Sequence, residues 1–392
     1  MLFFVISSLV YTAQLGNNAN ASGTSSTALG DEATSSGEYS TAVGSNSNAT
    51  GANSTAIGEQ STSSGQNSTT IGTGSTASGK SSVVLGAFST ASGNDSTAVG
   101  TYSNATGTNA TAMGMESNAS GNFSTAMGTA TTASGTSSTA VGMQSSATGN
   151  ATTAMGTRSN ASGEASMAMG VFSNATGDNS TALGTKSTAT EVNATAVGAT
   201  SSATGSNSTA MGTSSKASGE SSMAMGATSS ATGKNSAAMG TNSSATGENS
   251  VALGNGSVAK DDNTVSVGNE TTKRRMTNMS EGIAGSDGVT VSQLDRKANE
   301  INHRIDKVEK KSNRGLSLMA AMAAMDFGHA ETGDLLLGAG VGHYENAQGI
   351  ALGVMYAPTD ATRATLKYSV SSDDIKTSAI GVGVTHKIAN FK

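Results

Sequence analysis

The sequence predicts a mostly β chain in three parts: a parallel β-roll solenoid, a short heptad helix, and four strands of a transmembrane β-barrel. Three observations carry that prediction. A phrase of the form Ser-Thr-Ala-apolar-Gly returns every fourteen residues, at Ser26–Gly30, Ser40–Gly44 and Ser54–Gly58, and keeps register as far as Val267-Gly268. From Leu294 the apolar residues change to a helical spacing. Between Leu335 and Val384 they change again, to strict alternation.

Composition bounds what such a chain can do. With 392 residues, 50 Gly, one Pro, no Trp and 3% aromatics, it departs from the composition of a globular enzyme with a large core. A net charge of −6 with only 12% charged residues leaves no broad basic surface for nucleic acid. The absence of Cys is compatible with an exported protein and removes thiolate metal sites. His303, His329, His343 and His386 are scattered without ligand spacing. The expectation is therefore no enzyme activity, no catalytic residue, no metal and no cofactor.

Residues 1–15 form a possible signal segment. The apolar run Leu2–Val10 is too short to span a bilayer as a helix, and it reads either as a signal-peptide core or as an apolar first coil of the solenoid.

Residues 16–268 are the repeat. A second glycine column, Gly23, Gly37, Gly51 and onward, stands seven residues from the first and is broken at Glu191 and Asp261. Two glycine columns per period mean two turns per coil, joined by pieces of about five residues that suit strands. Period-two alternation puts Thr27 and Leu29 on one face and Ala28 on the other. Stacked at about 4.8 Å, roughly eighteen coils make a rod of about 90 Å. The apolar column, from Leu29, Val43 and Ile57 to Leu253, supplies about one large side chain per coil. Burial of one such residue gives about 1.5–3 kcal/mol, against about 1–2 kcal/mol for each ordered residue. A single roll is thus under-provided and is expected to pack against other copies of itself. The methionines of that column, among them Met113, Met127 and Met155, are read as gap-filling core. Threonines such as Thr27, Thr41, Thr55, Thr97, Thr111 and Thr125 would stack as a ladder, the arrangement an ice-binding rod would need, but on the same face as the apolar column. The many Asn-x-Ser/Thr triplets, such as Asn104-Ala105-Thr106, follow from the repeat itself.

Residues 269–293 connect, with Gly282, Gly285 and Gly288 marking turns. Over 294–314, Leu294, Ala298, Ile301, Ile305, Val308 and Ser312 are spaced 4, 3, 4, 3 and 4 apart, a heptad seam. Arg304 and Glu309 take positions g and e, where neighbouring helices of a parallel bundle can pair.

Residues 315–392 begin with small residues and continue with strands near 334–344, 348–357, 362–371 and 375–387. Their apolar faces carry Leu335, Leu337 and Val341, then Ile350, Leu352 and Val354, then Leu366 and Val370, then Ile380, Val382 and Val384. Opposite them stand mainly Gly, Ala, Thr and Lys. An inner face this small leaves the lumen for another occupant, and four strands cannot close a barrel in lipid, so several chains must contribute.

In this order of parts the chain resembles the trimeric autotransporter adhesins, the YadA-like family. Asn53-Ser54-Thr55-Ala56-Ile57-Gly58 and Asn249-Ser250-Val251-Ala252-Leu253-Gly254 are similar to the family's head phrase. Arg274-Arg275-Met276-Thr277-Asn278-Met279 with Asp287–Leu294 resembles its neck, and Arg304, Ile305, Val308 and Glu309 resemble its trimer-specifying pattern. The resemblance implies a left-handed parallel β-roll, a homotrimer, a twelve-stranded barrel with the stalk helices passing through it, and self-export to the outer membrane of a Gram-negative bacterium. It also implies barrel-insertion machinery as a partner, commonly reading a terminal aromatic residue; here Phe391 is followed by Lys392. Trimer contacts are expected at Leu294, Ala298, Ile301, Arg304, Ile305, Val308 and Glu309. The expected function is multivalent attachment to host matrix, cells or surfaces, with a phage or viral fibre built from the same repeats as the alternative. For the adhesive surface the irregular coils at Glu191 and Asp261 and the exposed positions Tyr39, Phe88, Tyr102, Phe123 and Phe172 are the candidates.

Overall fold

The computed structural model describes residues 12–388. The apolar run at 2–10 and the terminal pair Phe391-Lys392 lie outside the described residues. The chain divides between Arg275 and Met276 into two compact units.

The first unit is a parallel β-solenoid. Each coil is two similar seven-residue halves, as in Gly37-Glu38-Tyr39-Ser40-Thr41-Ala42-Val43 followed by Gly44-Ser45-Asn46-Ser47-Asn48-Ala49-Thr50. In both halves the serine three residues after glycine and the alanine five residues after it are buried. Ser40 Oγ donates to the Gly37 carbonyl at 2.7 Å, and Ser75 Oγ donates to the Gly72 carbonyl at 2.6 Å. The serine thereby satisfies a turn carbonyl that would otherwise be buried without a partner.

The strands are shorter than the expected five residues because the turns consume the remainder. One half gives a three-residue strand, such as Thr41–Val43, and the other a two-residue strand, such as Asn48–Ala49. Each pairs in parallel with its equivalent fourteen residues on: Thr41 with Thr55, Ala42 with Ala56, Val43 with Ile57. The two ranks make sheets of 19 and 18 strands.

One expectation is overturned. The methionine and aliphatic column is not core within the chain, for Ile71, Met113, Met155 and Met211 are about two-fifths exposed. The interior holds Ala and Ser instead, and the largest fully buried side chains of the roll are Val84, Thr70, Thr131 and Thr152. The physical reason is width: the two walls of so short a coil stand too close for anything larger. Thr and the apolar residue accordingly share the outer face, as alternation requires.

The second unit carries a helix over Val291–Ala323. It continues past the heptad seam through the small-residue stretch, 33 residues or about 50 Å. Four antiparallel strands follow, Leu335–Tyr344, Ala347–Thr359, Thr362–Ser371 and Ser378–His386, paired in sequence order. Leu337 faces Val354 and Val354 faces Leu366, so the apolar residues share one side.

Candidate functional site

The surfaces are built from the turns outward. Two residues after each glycine the backbone enters the left-handed region, at φ 55° for Phe88, 59° for Tyr102 and 56° for Phe123. Asn or Gly would adopt that conformation at least cost, and a bulky ring there is an outlier. The glycines differ from one another. Those of the first column, such as Gly30 with φ +133°, need the freedom as well as the space, since a Cβ on Gly30 would stand 2.5 Å from the Gly44 carbonyl oxygen. Those of the second column have no such φ; a Cβ on Gly121 would collide with the Gly135 carbonyl of the next coil. At Glu191 the chain keeps the same course without glycine, since the Glu191 carbonyl stands under Gly177 as the glycine carbonyls do elsewhere.

The five aromatic candidates are all exposed, but they do not form one surface. Phe88, Tyr102 and Phe172 occupy one column of turns and Tyr39 and Phe123 the other, half a period away. On the first edge the Phe88 and Tyr102 rings stack with centroids 5.4 Å apart and 14° between planes. Gly74 makes room beneath Phe88, whose ring would strike a Cβ there at 2.8 Å. Arg158 lies over the Phe172 ring at 5.5 Å and donates from Nε to Gln144 Oε1 at 2.7 Å. On the other edge Tyr39 is flanked by Ser25 and Asn53, and Phe123 by Asn109 and Ser137. This division was legible as residue number modulo fourteen. Asn104 and Asn118, from the Asn-x-Ser/Thr triplets, stack on each other across one coil at 3.5 Å, with Nδ2 donating to Oδ1.

Arg274, which the sequence places in the neck-like segment, closes the end of the roll. Arg274 Nη1 donates to Ser257 Oγ at 3.0 Å and to the Val267 carbonyl at 2.6 Å, and Nη2 donates to the Asn255 carbonyl. Asn269 Nδ2 donates to the Gly256 carbonyl at 2.8 Å, and Lys260 pairs with Glu270 at 2.8 Å. Together they close the last coil, the need of any solenoid terminus.

The start of the helix is fixed by a capping box. Gln293 N donates to Thr290 Oγ1 at 3.3 Å and the Gln293 side chain accepts from Thr290 N at 3.1 Å. Asp287 accepts from the Ile283 and Ala284 amides at 2.9 Å each. Those backbone donors, Ala284 foremost, hold its carboxyl below the ordinary carboxylate range. Glu281 is held down chiefly by its hydrogen bonds from Arg296. Farther along, Ile301, Arg304, Ile305, Val308 and Glu309 line one shallow groove. Leu294 and Ala298 lie on the same helix toward its start, and all seven residues are exposed.

The sheet of the second unit presents its glycines to the helix. A Cβ on Gly349 would stand 2.7 Å from the Ser317 carbonyl oxygen, and one on Gly342 would overlap the Ala321 amide. The occupant for which the small inner face leaves room is thus the helix backbone. Lys367, also on that face, donates from Nζ to the Met322 carbonyl at 2.8 Å and to the Met325 carbonyl at 3.5 Å. A cation belongs there because the last carbonyls of a helix lack partners and carry its negative pole. On the outer face Leu335, Leu337, Val341, Ile350, Leu352, Leu366, Ile380, Val382 and Val384 are exposed, while Val354 and Val370 are half-buried.

Residues 15–271 match the two-copy YadA head domain repeat in ten overlapping or successive segments, and residues 330–388 match the YadA-like membrane anchor domain. The chain belongs to the YadA-like family of autotransporter adhesins. Among solved structures, the crystal structure of the collagen-binding domain of Yersinia adhesin YadA is similar at 30% identity, covering 46% of this chain and 85% of that one, with a TM-score of 0.32. No curated protein matches this sequence. Of the YadA-like parts, the head repeat accounts for the solenoid and the anchor for the four strands. Among the described residues no group of three His, Cys, Asp or Glu side chains is placed to hold a metal ion. Among the described residues no helix is long and apolar enough to cross a membrane.

Proposed function

We propose that the chain is a homotrimeric, surface-exposed adhesin that anchors in the outer membrane of a Gram-negative bacterium and exports its own head through that anchor. In this reading residues 16–268 are the head, 269–293 the neck, 294–314 the stalk and 315–392 the anchor. The observation that carries it is the glycine face of the four strands closed over the helix backbone. A sheet this short, apolar outside and filled by a helix inside, has unpaired first and last strands, which lipid does not tolerate. Three copies supply twelve strands and remove every edge.

Each residue group then has a task. Leu294, Ala298, Ile301, Ile305 and Val308 pack the three helices, with Arg304 and Glu309 pairing between them. Leu335, Leu337, Val341, Ile350, Leu352, Val354, Leu366, Val370, Ile380, Val382 and Val384 meet lipid. The half-exposed apolar column of the roll is covered by the other two heads, which supplies the burial that one roll lacks. Attachment to matrix, cells or surfaces is multivalent, many weak contacts along a rod, with strength set by effective concentration.

Membrane fractionation of the full chain, with gel mobility before and after heating, tests location and trimer together. Recovery in the outer membrane as a species that falls to one-third of its mass on boiling is the expected result. A soluble chain, or a membrane chain that runs as a monomer unheated, would sink the proposal.

A further inference from the structure

The sheet of the second unit holds the helix through two kinds of polar or close contact, and only one of them fixes how far along its axis the helix stands. The first kind meets the helix backbone. The glycines face the Ser317 carbonyl and the Ala321 amide, and Lys367 reaches the Met322 and Met325 carbonyls. Backbone groups recur with every turn, so a slip of one turn, about 5.4 Å, presents the sheet with a similar set. Side chains on that face change little over the same step, with Ala321 four residues after Ser317 and Ala324 four after Ala320. From Gly315 to Met325 no residue is charged. A smooth, uncharged segment suits passage through a barrel, and it is a poor stop.

The second kind joins side chain to side chain, at the N-terminal end of that segment. Arg314, the last charged residue of the helix, has Nη1 3.0 Å from Asp374 Oδ2, and Asn313 Nδ2 donates to Asn346 Oδ1 at 3.5 Å. Asn346 lies in the turn between the first two strands and Asp374 in the loop between the last two. In an up-and-down sheet these connections share one rim, and here they reach two consecutive residues of the helix. The loop holds the Asp374 carboxylate in place. Thr377 Oγ1 donates to Asp374 Oδ2 at 3.0 Å, the Lys376 amide donates to Oδ1 at 3.2 Å, and the Thr377 amide donates to the Asp374 carbonyl at 2.8 Å. Of the five ion pairs among the described residues this one is the least exposed, its side chains 29% and 34% accessible against 52% or more for every other. A pair withdrawn from water is screened less, and removing one partner leaves the other uncompensated.

We infer that Arg314 and Asp374 form a latch at the outer rim of the anchor, which fixes the helix at one axial position once the head is outside. Both are positioning residues: the glycines and small side chains let the helix pass, and the ion pair decides where it rests. This rests on the anchor reading above.

The chain has no Cys, so Ser317→Cys places a single thiol just inside the latch, at a buried position. Cells displaying the full chain with that thiol are treated with a membrane-impermeant maleimide, and the labelling rate is followed beside gel mobility before and after heating. With Arg314 and Asp374 in place, labelling is expected to be slow. Arg314→Glu and Asp374→Arg should each speed it about tenfold or more while the slow-migrating species is retained, because each sets like charges against one another. The double exchange should slow labelling again. Single variants that label as slowly as the parent, or a double variant that stays fast, would overturn the proposal. So would fast labelling of the parent in a heat-modifiable species, or a single variant without that species, which would make the pair a builder of the anchor and not a latch on the helix. Failure of the anchor reading looks different: Ser317→Cys would label fast whatever stands at 314 and 374, with no change of mobility on heating.

Discussion

A single methyl group separates a tolerated residue from a forbidden one in this roll, and position decides which. Gly121 has an ordinary backbone, yet a Cβ there would enter the Gly135 carbonyl of the next coil. Gly121→Ala is therefore expected to cost about 1–3 kcal/mol. Faster hydrogen exchange of amides around Gly121 and Gly135 would report it, with distant coils unchanged, as expected of nearest-neighbour stacking. Phe123 presents the opposite case. It occupies φ 56° with no aromatic neighbour in its column. Phe123→Asn should slow exchange in its coil by stabilising the turn by about 1 kcal/mol. An unchanged or faster rate would show that the ring has a contact worth more than its strain. Much of this was legible: the glycine period and the two turns follow from the repeat, and alternation separates Ala from Thr and the apolar residue without saying which face is buried. The sequence could not say which glycine column needed φ freedom in addition to space, because both requirements select the same residue.

Among the elements, the helix shows how local signals and distant contacts divide the work. Its start is written locally, in Thr290 and Gln293, while its end is held from another element by Lys367. Lys367→Met should leave the Met322 and Met325 carbonyls without that cation, a loss of about 1–3 kcal/mol. A lower temperature for the heat-induced change in gel mobility of the full chain would show it. The turn before the helix is pH-sensitive through Asp287. Its carboxyl titrates below its ordinary value because the amides of Ala284 and Ile283 favour the charged form. The stabilisation is thus fully present above the ordinary carboxylate value of about 4, and is lost as pH falls through the depressed folded value. Amide exchange at Ile283 and Ala284, compared with Asp287→Asn at neutral pH, should show the same loosening in acid. If acid left those amides protected, the carboxylate would not be what holds the turn.

For the molecule as a whole, the decisive feature is an apolar column that the single chain leaves half-exposed. Coil after coil repeats this outward apolar residue, and a lone rod in water would gain nothing from it. Met127→Asp combined with Met155→Asp places two charges where the proposed trimer buries apolar surface, and should make residues 16–268 more open to protease while stalk and barrel keep the slow-migrating species in unheated gels. The roll itself should keep its β-sheet circular dichroism, since its interior is Ala and Ser. Unchanged protease resistance of the head in that variant would move the seam to another face.

By itself the sequence determined the architecture. Strict periodicity leaves the backbone one arrangement in which every coil has the same hydrogen-bond partners, and alternation, heptad spacing and glycine-rich runs assign each part its fold. Tertiary structure alone decided where the faces point. It put the methionine column outside, because a coil of two very short strands has no room within. It placed the helix on the glycines, Arg274 at the end of the roll and Lys367 under the last helical carbonyls. It also separated Tyr39 and Phe123 from Phe88, Tyr102 and Phe172. Those outcomes depend on distances between residues far apart in the chain, which no period along it contains.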